Sequence, residues 1–132
     1  MVPCLVREED SPEALALLRA WQGAAEFWVP DLLFVECANA LRKKVVAETL
    51  ARDDARRLVS ALGEMELNVV PGREIATEAF EIALSTGLLL WDACYVAAAR
   101  RAEAELWTAD NELYAKGRQA LANIHLLGRG EP

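Results

Sequence analysis

Three acidic residues, each in a different segment of the chain, suggest a chemistry for this sequence. Glu36 lies in a predicted helix that follows a short strand, Asp92 begins another predicted helix, and Asp110 comes just after a second strand. In an open parallel sheet, ligands collect at the carboxyl ends of the strands. Carboxylates that converge there repel one another, and a hard divalent cation relieves the repulsion. Two such cations would clamp a phosphodiester for hydrolysis by water.

Each of these acids also has an ordinary structural explanation. An Asp at a helix start is most often a cap, and this explanation applies to Asp92 and Asp110. A Glu within a helix is usually exposed, but Glu36 stands between Val35 and Cys37 in an apolar stretch. Spacing alone therefore leaves the metal site a hypothesis, with capping and exposure as the simpler alternatives.

Short apolar strands alternate with helices around these acids. The pattern predicts strands at 26–29, 67–70, 106–108 and 124–127, and helices starting near Ser11 and at 31–50, 53–65, 74–86, 92–104 and 111–122. Asp31 is the predicted cap of its helix, and Gly87 follows the end of another. This alternation predicts an α/β fold with a short parallel sheet covered by helices. The 132 residues, 54% of them hydrophobic, form one domain over 1–132.

Composition excludes several classes of protein. The 14 basic and 21 acidic residues give a net charge of −7, whereas a generic nucleic-acid binder is usually basic. Three cysteines without a CxxC pair argue against a disulfide framework or a zinc site and favour a reducing cytoplasm. We expect no membrane association and no secretion, because the sequence shows no membrane-length apolar run and no signal peptide.

Three segments in order closely resemble motifs of the PIN-domain ribonucleases. They are Val-Glu-Cys-Ala-Asn-Ala-Leu at 35–41, Trp-Asp-Ala-Cys-Tyr-Val-Ala at 91–97 and Leu-Trp-Thr-Ala-Asp at 106–110. The stretch at 28–33 is also similar. More narrowly, the chain resembles the VapC-type toxins of prokaryotic toxin–antitoxin pairs, in order from Asp10 to Leu127. The resemblance implies a PIN-like three-layer α/β/α fold.

The resemblance also implies an activity and its residues. PIN-domain toxins are endoribonucleases that cleave RNA with Mg²⁺ or Mn²⁺ held by four acids. By position, Glu36, Asp92 and Asp110 are three of those acids, as both catalytic residues and metal ligands. Thr108 and Asn39 take supporting roles beside them. The implied partners are an RNA substrate, an antitoxin protein and a second copy of the chain in a homodimer.

The start of the chain departs from the family pattern. The family's first acid ends an opening strand, in a Val-Asp-Ala-Ser-like segment that is missing here. Residues 1–10 resemble the segment after that strand, and none of Glu8, Glu9 and Asp10 matches the missing acid. We therefore expect the central first strand and one metal ligand to be absent, which puts activity in doubt. Its neighbouring strands would then have unpaired edges, at about 1–3 kcal/mol per buried polar group.

Three explanations of this departure stay open. Either the start has been assigned inside the gene, or the chain is a naturally shortened and inactive relative, or residues 2–6 fill the gap as a replacement strand. Pro3 argues against the last, because it cannot donate a ladder hydrogen bond. The first is favoured, because the other three acids are intact. The alternative function is a catalytically inactive module of the PIN fold that binds an antitoxin or RNA without cleaving it.

Basic and aromatic residues near the acids have two explanations each. Lys43 follows Glu36 by seven residues, on the same face of a helix, where it would steer a phosphate towards the acids. A solvated helix end explains it equally well. Trp91 and Trp107 precede Asp92 and Thr108, and are candidates for stacking on bases or for anchoring the core.

Overall fold

The computed structural model describes residues 2–7 and 25–127. They form five strands and five helices in a three-layer α/β/α arrangement. The expected helix from Ser11, the acids at 8–10 and the tail at 128–132 lie outside the described residues. The elements, in chain order, are β1 (Val2–Arg7), β2 (Ala25–Pro30), α1 (Leu32–Val46), α2 (Arg52–Glu64), β3 (Asn68–Val70), α3 (Gly72–Thr86), α4 (Leu90–Ala102), β4 (Glu105–Thr108), α5 (Asn111–Gly117) and β5 (Ile124–Leu126).

The five strands form one parallel sheet in the order β3-β2-β1-β4-β5. The expectation that the central strand is missing is wrong, because β1 occupies the centre. Its first half pairs with β2, from Val2 to Cys4, and its second half pairs with β4, from Cys4 to Arg7. Pro3 is compatible with this strand because the pairing with β4 begins only after it. The strands beside β1 therefore do not have the unpaired edges expected from the sequence.

Helix α4 is the centre of the larger core. Every residue from Ala93 to Ala99 is buried, and all of them except Cys94 are completely inaccessible to solvent. Four alanines in this segment leave little side-chain volume, so the helix backbone can approach its neighbours closely. Accordingly, α4 packs against β1, β2, β4 and α3. The core it forms includes Leu5 of β1 and Leu106 of β4.

A smaller apolar cluster lies on the alternate side chains of the same central strands. It contains Cys4 and Val6 of β1, Phe27 of β2 and Trp107 of β4. Side chains alternate between the two faces of a strand, so Trp107 is on the opposite face from Leu106. The sheet therefore buries apolar side chains on both faces, as parallel sheets do.

Two helices end earlier than their patterns predict. Helix α1 stops at Val46, since Glu48 takes a left-handed conformation with φ of 61°. Helix α5 stops at Gly117, where β5 returns close to the chain: a Cβ atom at Gly117 would lie only 2.9 Å from the Ile124 side chain. Both endings depend on backbone geometry that hydrophobic periodicity does not contain.

Of two predicted helix caps, one is confirmed and the other is wrong. Gly87 ends α3 in the left-handed conformation with φ of 79°, as expected. Asp31, expected to cap α1, makes no such bond. Its Oδ2 atom instead accepts a hydrogen bond at 2.9 Å from the backbone N–H of Gly72, the first residue of α3. The carboxylate thus serves a helix 41 residues later in the chain.

Within the described ranges, no single helix is both long enough and apolar enough to cross a membrane. Helices α3 and α4 meet that requirement only when taken together, and a bend of 118° separates them.

Candidate active site

Glu36 is held by a tyrosine from another helix. It lies in the second turn of α1, half-buried, and its Oε1 atom accepts a hydrogen bond at 3.0 Å from the hydroxyl of Tyr95 on α4. Glu36 is therefore neither fully exposed nor fully buried, and its assignment to the site stays a prediction. Tyr95 itself has 0% of its surface exposed, so its hydroxyl needs a partner inside the protein.

Asp92 lies on α4, one turn before Tyr95. It is the third residue of the helix, while the cap position belongs to Leu89, which has no side-chain oxygen. Asp92 therefore lies in the first turn of α4 and is not its N-cap residue. Residues three apart on a helix are neighbours on its surface, with Cβ atoms about 5–6 Å apart. The Tyr95 bond thus brings Glu36 of α1 to the part of α4 that carries Asp92.

Asp110 is the cap of α5, as one of its two explanations proposed. Its Oδ1 atom accepts hydrogen bonds from the backbone N–H groups of Glu112, at 2.8 Å, and of Leu113, at 3.2 Å. Thr108, the last residue of β4, is completely buried, and its hydroxyl accepts a bond at 3.0 Å from the N–H of Asp110. Thr108 therefore supports the backbone of Asp110 directly.

The topology places these acids at one edge of the sheet. Glu36 follows the carboxyl end of β2 by six residues, and Asp110 follows the carboxyl end of β4 by two. Both strands run parallel to β1, so their carboxyl ends lie at the same edge. The chain passes from the last turn of α4 into β4 within three residues, so the first turn of α4, with Asp92, lies towards that same edge.

The three acids supply the type of ligand that Mg²⁺ and Mn²⁺ prefer, namely carboxylate oxygens. In donor chemistry the predicted residues therefore suit a divalent ion. In the part of the chain that the structure describes, however, no three Asp, Glu, His or Cys side chains form a group able to hold a metal ion. The assignment of Glu36, Asp92 and Asp110 as metal ligands stays a prediction.

The other predicted residues occupy different surroundings. Asn39 is exposed on α1, and its Oδ1 atom accepts a bond at 3.1 Å from the Arg42 guanidinium, so its observed contact supports Arg42. Lys43 is exposed on the same helix, seven residues after Glu36. Its role in steering phosphate stays a prediction.

The two tryptophans next to the motifs differ. Trp91 has 56% of its surface exposed immediately before Asp92, and it stays a candidate for stacking on bases. Trp107 is buried and stacks on His125, with ring centroids 4.4 Å apart. Trp107 is therefore a core anchor, on the face of β4 opposite to Thr108.

The role of Tyr95 was not predicted from the sequence. One signal was present: a tyrosine at the third position after Asp92, in a segment of small apolar residues, is expected to be buried on the side of the helix near Asp92. A buried hydroxyl then requires an acceptor. The sequence does not show which residue provides it.

Comparisons with known proteins agree with this architecture. The family model of the PIN domain matches residues 4–119. The chain is 35% identical over 113 residues to "Ribonuclease VapC3" of Pyrobaculum aerophilum, covering 84% of each chain. Among solved structures it is similar to PAE2754 from Pyrobaculum aerophilum, with a TM-score of 0.72 at 24% identity. That match covers 94% of this chain and 83% of the other.

Proposed function

Because this chain belongs to the PIN-domain family and is 35% identical over 113 residues to a VapC ribonuclease, we propose that it is a divalent-metal-dependent endoribonuclease, the toxin of a toxin–antitoxin pair. The single observation that supports the site is the 3.0 Å bond from Tyr95 to Glu36. It joins Glu36 of α1 to α4, the helix that carries Asp92, near the carboxyl edge of the sheet.

In this proposal Glu36, Asp92 and Asp110 would hold Mg²⁺ or Mn²⁺. Bound there, the ion supplies a nucleophile at neutral pH and a counter-charge for the phosphate. The chain's own residues set the geometry. Thr108 and the first turn of α5 fix Asp110 through backbone hydrogen bonds, and Tyr95 fixes Glu36.

Binding of RNA has to overcome the net charge of −7. Cations at the acids would offset part of that charge, and the exposed Lys43 would attract a phosphate close to Glu36. Trp91, exposed next to Asp92, offers an aromatic face on which a base can stack. These three features support an RNA substrate over a small phosphate ester.

The experiment that tests the proposal is cleavage of labelled single-stranded RNA by the purified chain with Mn²⁺, with Mg²⁺ and with a chelator. We expect cleavage with either metal and none with the chelator. Asp92→Asn and Glu36→Gln should each lose at least about 100-fold in rate. Glu81→Gln, at an exposed position on α3, is the matched control and should keep the wild-type rate.

The second candidate is a module of the same fold that binds RNA or an antitoxin without cleaving it. It is favoured by one observation: no group of three metal-binding side chains occurs among residues 2–7 and 25–127. If labelled RNA binds to the wild-type chain but stays intact with either metal, this candidate replaces the nuclease.

We also propose a homodimer. Phe80 and Leu84, one turn apart on α3, are 55% and 68% exposed, and Leu89 is exposed in the loop that follows. Exposed apolar patches of this kind often mark protein interfaces. Light scattering should show a dimer for the wild type and a monomer for Phe80→Glu combined with Leu84→Glu. A wild-type monomer at high concentration would contradict the proposal.

A further inference from the structure

The hydroxyl of Tyr95 is a fully buried side-chain group that bonds to the carboxylate of a predicted catalytic acid. Tyr95 is 0% exposed, whereas its acceptor Glu36 is half-buried. The hydroxyl donates to Oε1 at 3.0 Å, across two helices whose residues are 59 positions apart in the chain. The bond therefore joins the rigid interior to the candidate site.

The side chains of Tyr95 and Glu36 differ in conformational freedom. Tyr95 lies in the completely buried segment Ala93–Ala99, which packs against three strands and α3, so its ring cannot change position without disturbing the core. A glutamate has three rotatable side-chain bonds, and holding it in one orientation costs conformational entropy. A hydrogen bond from a fixed donor to a charged acceptor is strong enough to select one orientation.

We propose that Tyr95 is a positioning residue for Glu36: its hydroxyl holds the Glu36 carboxylate at the part of α4 that carries Asp92. The proposal rests on the proposed function, in which the two acids act together. Tyr95 touches neither substrate nor metal and acts only through Glu36. Errors of about 1 Å in the placement of a catalytic group can reduce rates by about 100-fold.

The opposing explanation is that Glu36 is present only to satisfy a buried hydroxyl. In that case, loss of the bond lowers stability and leaves catalysis and metal binding unchanged. If Tyr95 positions Glu36, loss of the bond lowers kcat and weakens metal binding, while the affinity for RNA stays nearly the same.

The decisive variant is Tyr95→Phe, which removes the hydroxyl and keeps the ring. We expect kcat to fall by roughly 10- to 100-fold, with KM for RNA within about twofold of wild type. The dissociation constant for Mn²⁺, measured by calorimetry without RNA, should rise by about tenfold. The control is Tyr114→Phe, because Tyr114 is the other tyrosine and packs against Arg118, the residue that follows α5. It should match the wild type in both measurements.

A second variant allows the proposal to be tested even if Tyr95→Phe does not fold. Glu36→Asp keeps the charge but shortens the side chain, so it breaks the same bond, and a similar loss of Mn²⁺ affinity is expected. Since both changes remove one interaction, the double variant should bind Mn²⁺ no more weakly than the weaker single variant. Losses that add in the double variant would overturn the proposal, because Tyr95 would then act independently of Glu36.

The remaining outcomes separate the two proposals. A wild type that cleaves RNA, together with Tyr95→Phe of unchanged kcat and Mn²⁺ affinity, overturns the positioning role alone. A wild type that neither binds Mn²⁺ nor cleaves RNA overturns the proposed function, and the positioning role with it.

Discussion

Strand β4 has an acidic residue near each end, and the structure holds these two acids in different ways. At the amino end, Glu105 is surrounded by side chains: Oε1 lies 3.3 Å from His125 Nε2, and Oε2 lies 4.0 Å from Cys4 Sγ. Beyond the carboxyl end, Asp110 is held by backbone N–H groups, which both bind the same oxygen, Oδ1. Of the described residues, none donates a hydrogen bond to Oδ2.

This difference indicates which of the two carboxylates has an oxygen that can bind a ligand. Both oxygens of Glu105 contact side chains of neighbouring strands, so this acid joins β1, β4 and β5. Asp110 is fixed through one oxygen and can present the other to a ligand. Both acids are partly exposed, so exposure alone does not distinguish them. Substitutions at and near the two ends of β4 test this contrast.

The largest effect, a loss of RNA cleavage, is expected from a substitution beyond the carboxyl end of β4. Asp110→Asn keeps the cap of α5, because asparagine caps helices about as well as aspartate, but it removes the charge. Cleavage of labelled RNA with Mn²⁺ should fall by at least about 100-fold. The melting temperature should stay within a few degrees of wild type.

The matched change at the amino end is Glu105→Gln. It should leave the cleavage rate within about twofold of wild type, because Glu105 lies at the edge of the sheet opposite to the site. Equal losses of activity in the two variants would show that the ends of β4 do not differ in function.

The next effect is a loss of stability when the hydrogen bond between Thr108 and the backbone of Asp110 is removed. Thr108→Val replaces a completely buried hydroxyl with a methyl group and leaves the N–H of Asp110 without its acceptor. We expect the free energy of unfolding in urea to fall by about 1–3 kcal/mol. Thr108→Ser, which keeps the hydroxyl, should lose less, and a greater loss for serine would contradict this explanation.

A smaller effect is expected from His125→Phe. The phenyl ring can still stack on Trp107, while the contact with Glu105 is lost. Pairs of partly exposed charged groups contribute little, so urea unfolding should show a loss of about 1 kcal/mol or less. A loss several times larger would mean that the Glu105 contact organises this end of the strand.

The smallest effect is a pH dependence from Cys4. Burial, and then the negative charge of Glu105, raise the pKa of its thiol above the ordinary value of 9.0. Above pH 9.0 the unfolded chain loses this proton while the folded chain keeps it, so stability is complete below that pH and is lost as pH rises through the folded pKa. At about pH 9.5 the loss should stay below about 1 kcal/mol.

The comparison for this prediction is Cys4→Ala, since tyrosine and lysine groups also titrate in alkaline solution. Urea unfolding at neutral pH and at about pH 9.5 should show a smaller decrease for Cys4→Ala than for wild type. Identical decreases would exclude any contribution from the thiol.

Much of the site was predictable, because its parts are local. The helix that carries Glu36, the strand before Asp110 and the helix that carries Asp92 follow from hydrophobic spacing and short-range turn signals. The choice of the three acids follows from the resemblance to PIN-domain motifs. The cap formed by Asp110 spans only three residues, and Gly87 ends α3 as its position predicts. Such features need no knowledge of distant segments.

Other features could not be predicted, because their partners are distant in the chain. Asp31 is placed like a cap for the helix that follows it, yet it binds Gly72. The proline in β1 argued against a central strand, and the pairing register made that strand possible. The acceptor for Tyr95 lies 59 residues away, on α1, and only the folded structure brings the two side chains together.

The amino-acid order alone therefore determined the alternation of strands and helices, the family of the fold and the three acids worth testing. Tertiary structure decided what holds each acid: a buried tyrosine for Glu36, backbone amides for Asp110, and neighbouring strands for Glu105. The reason is that these interactions act over different separations along the chain. Periodicity and capping act within one or two turns of a helix, whereas the direction of a carboxylate depends on which segments the packing of the core brings together.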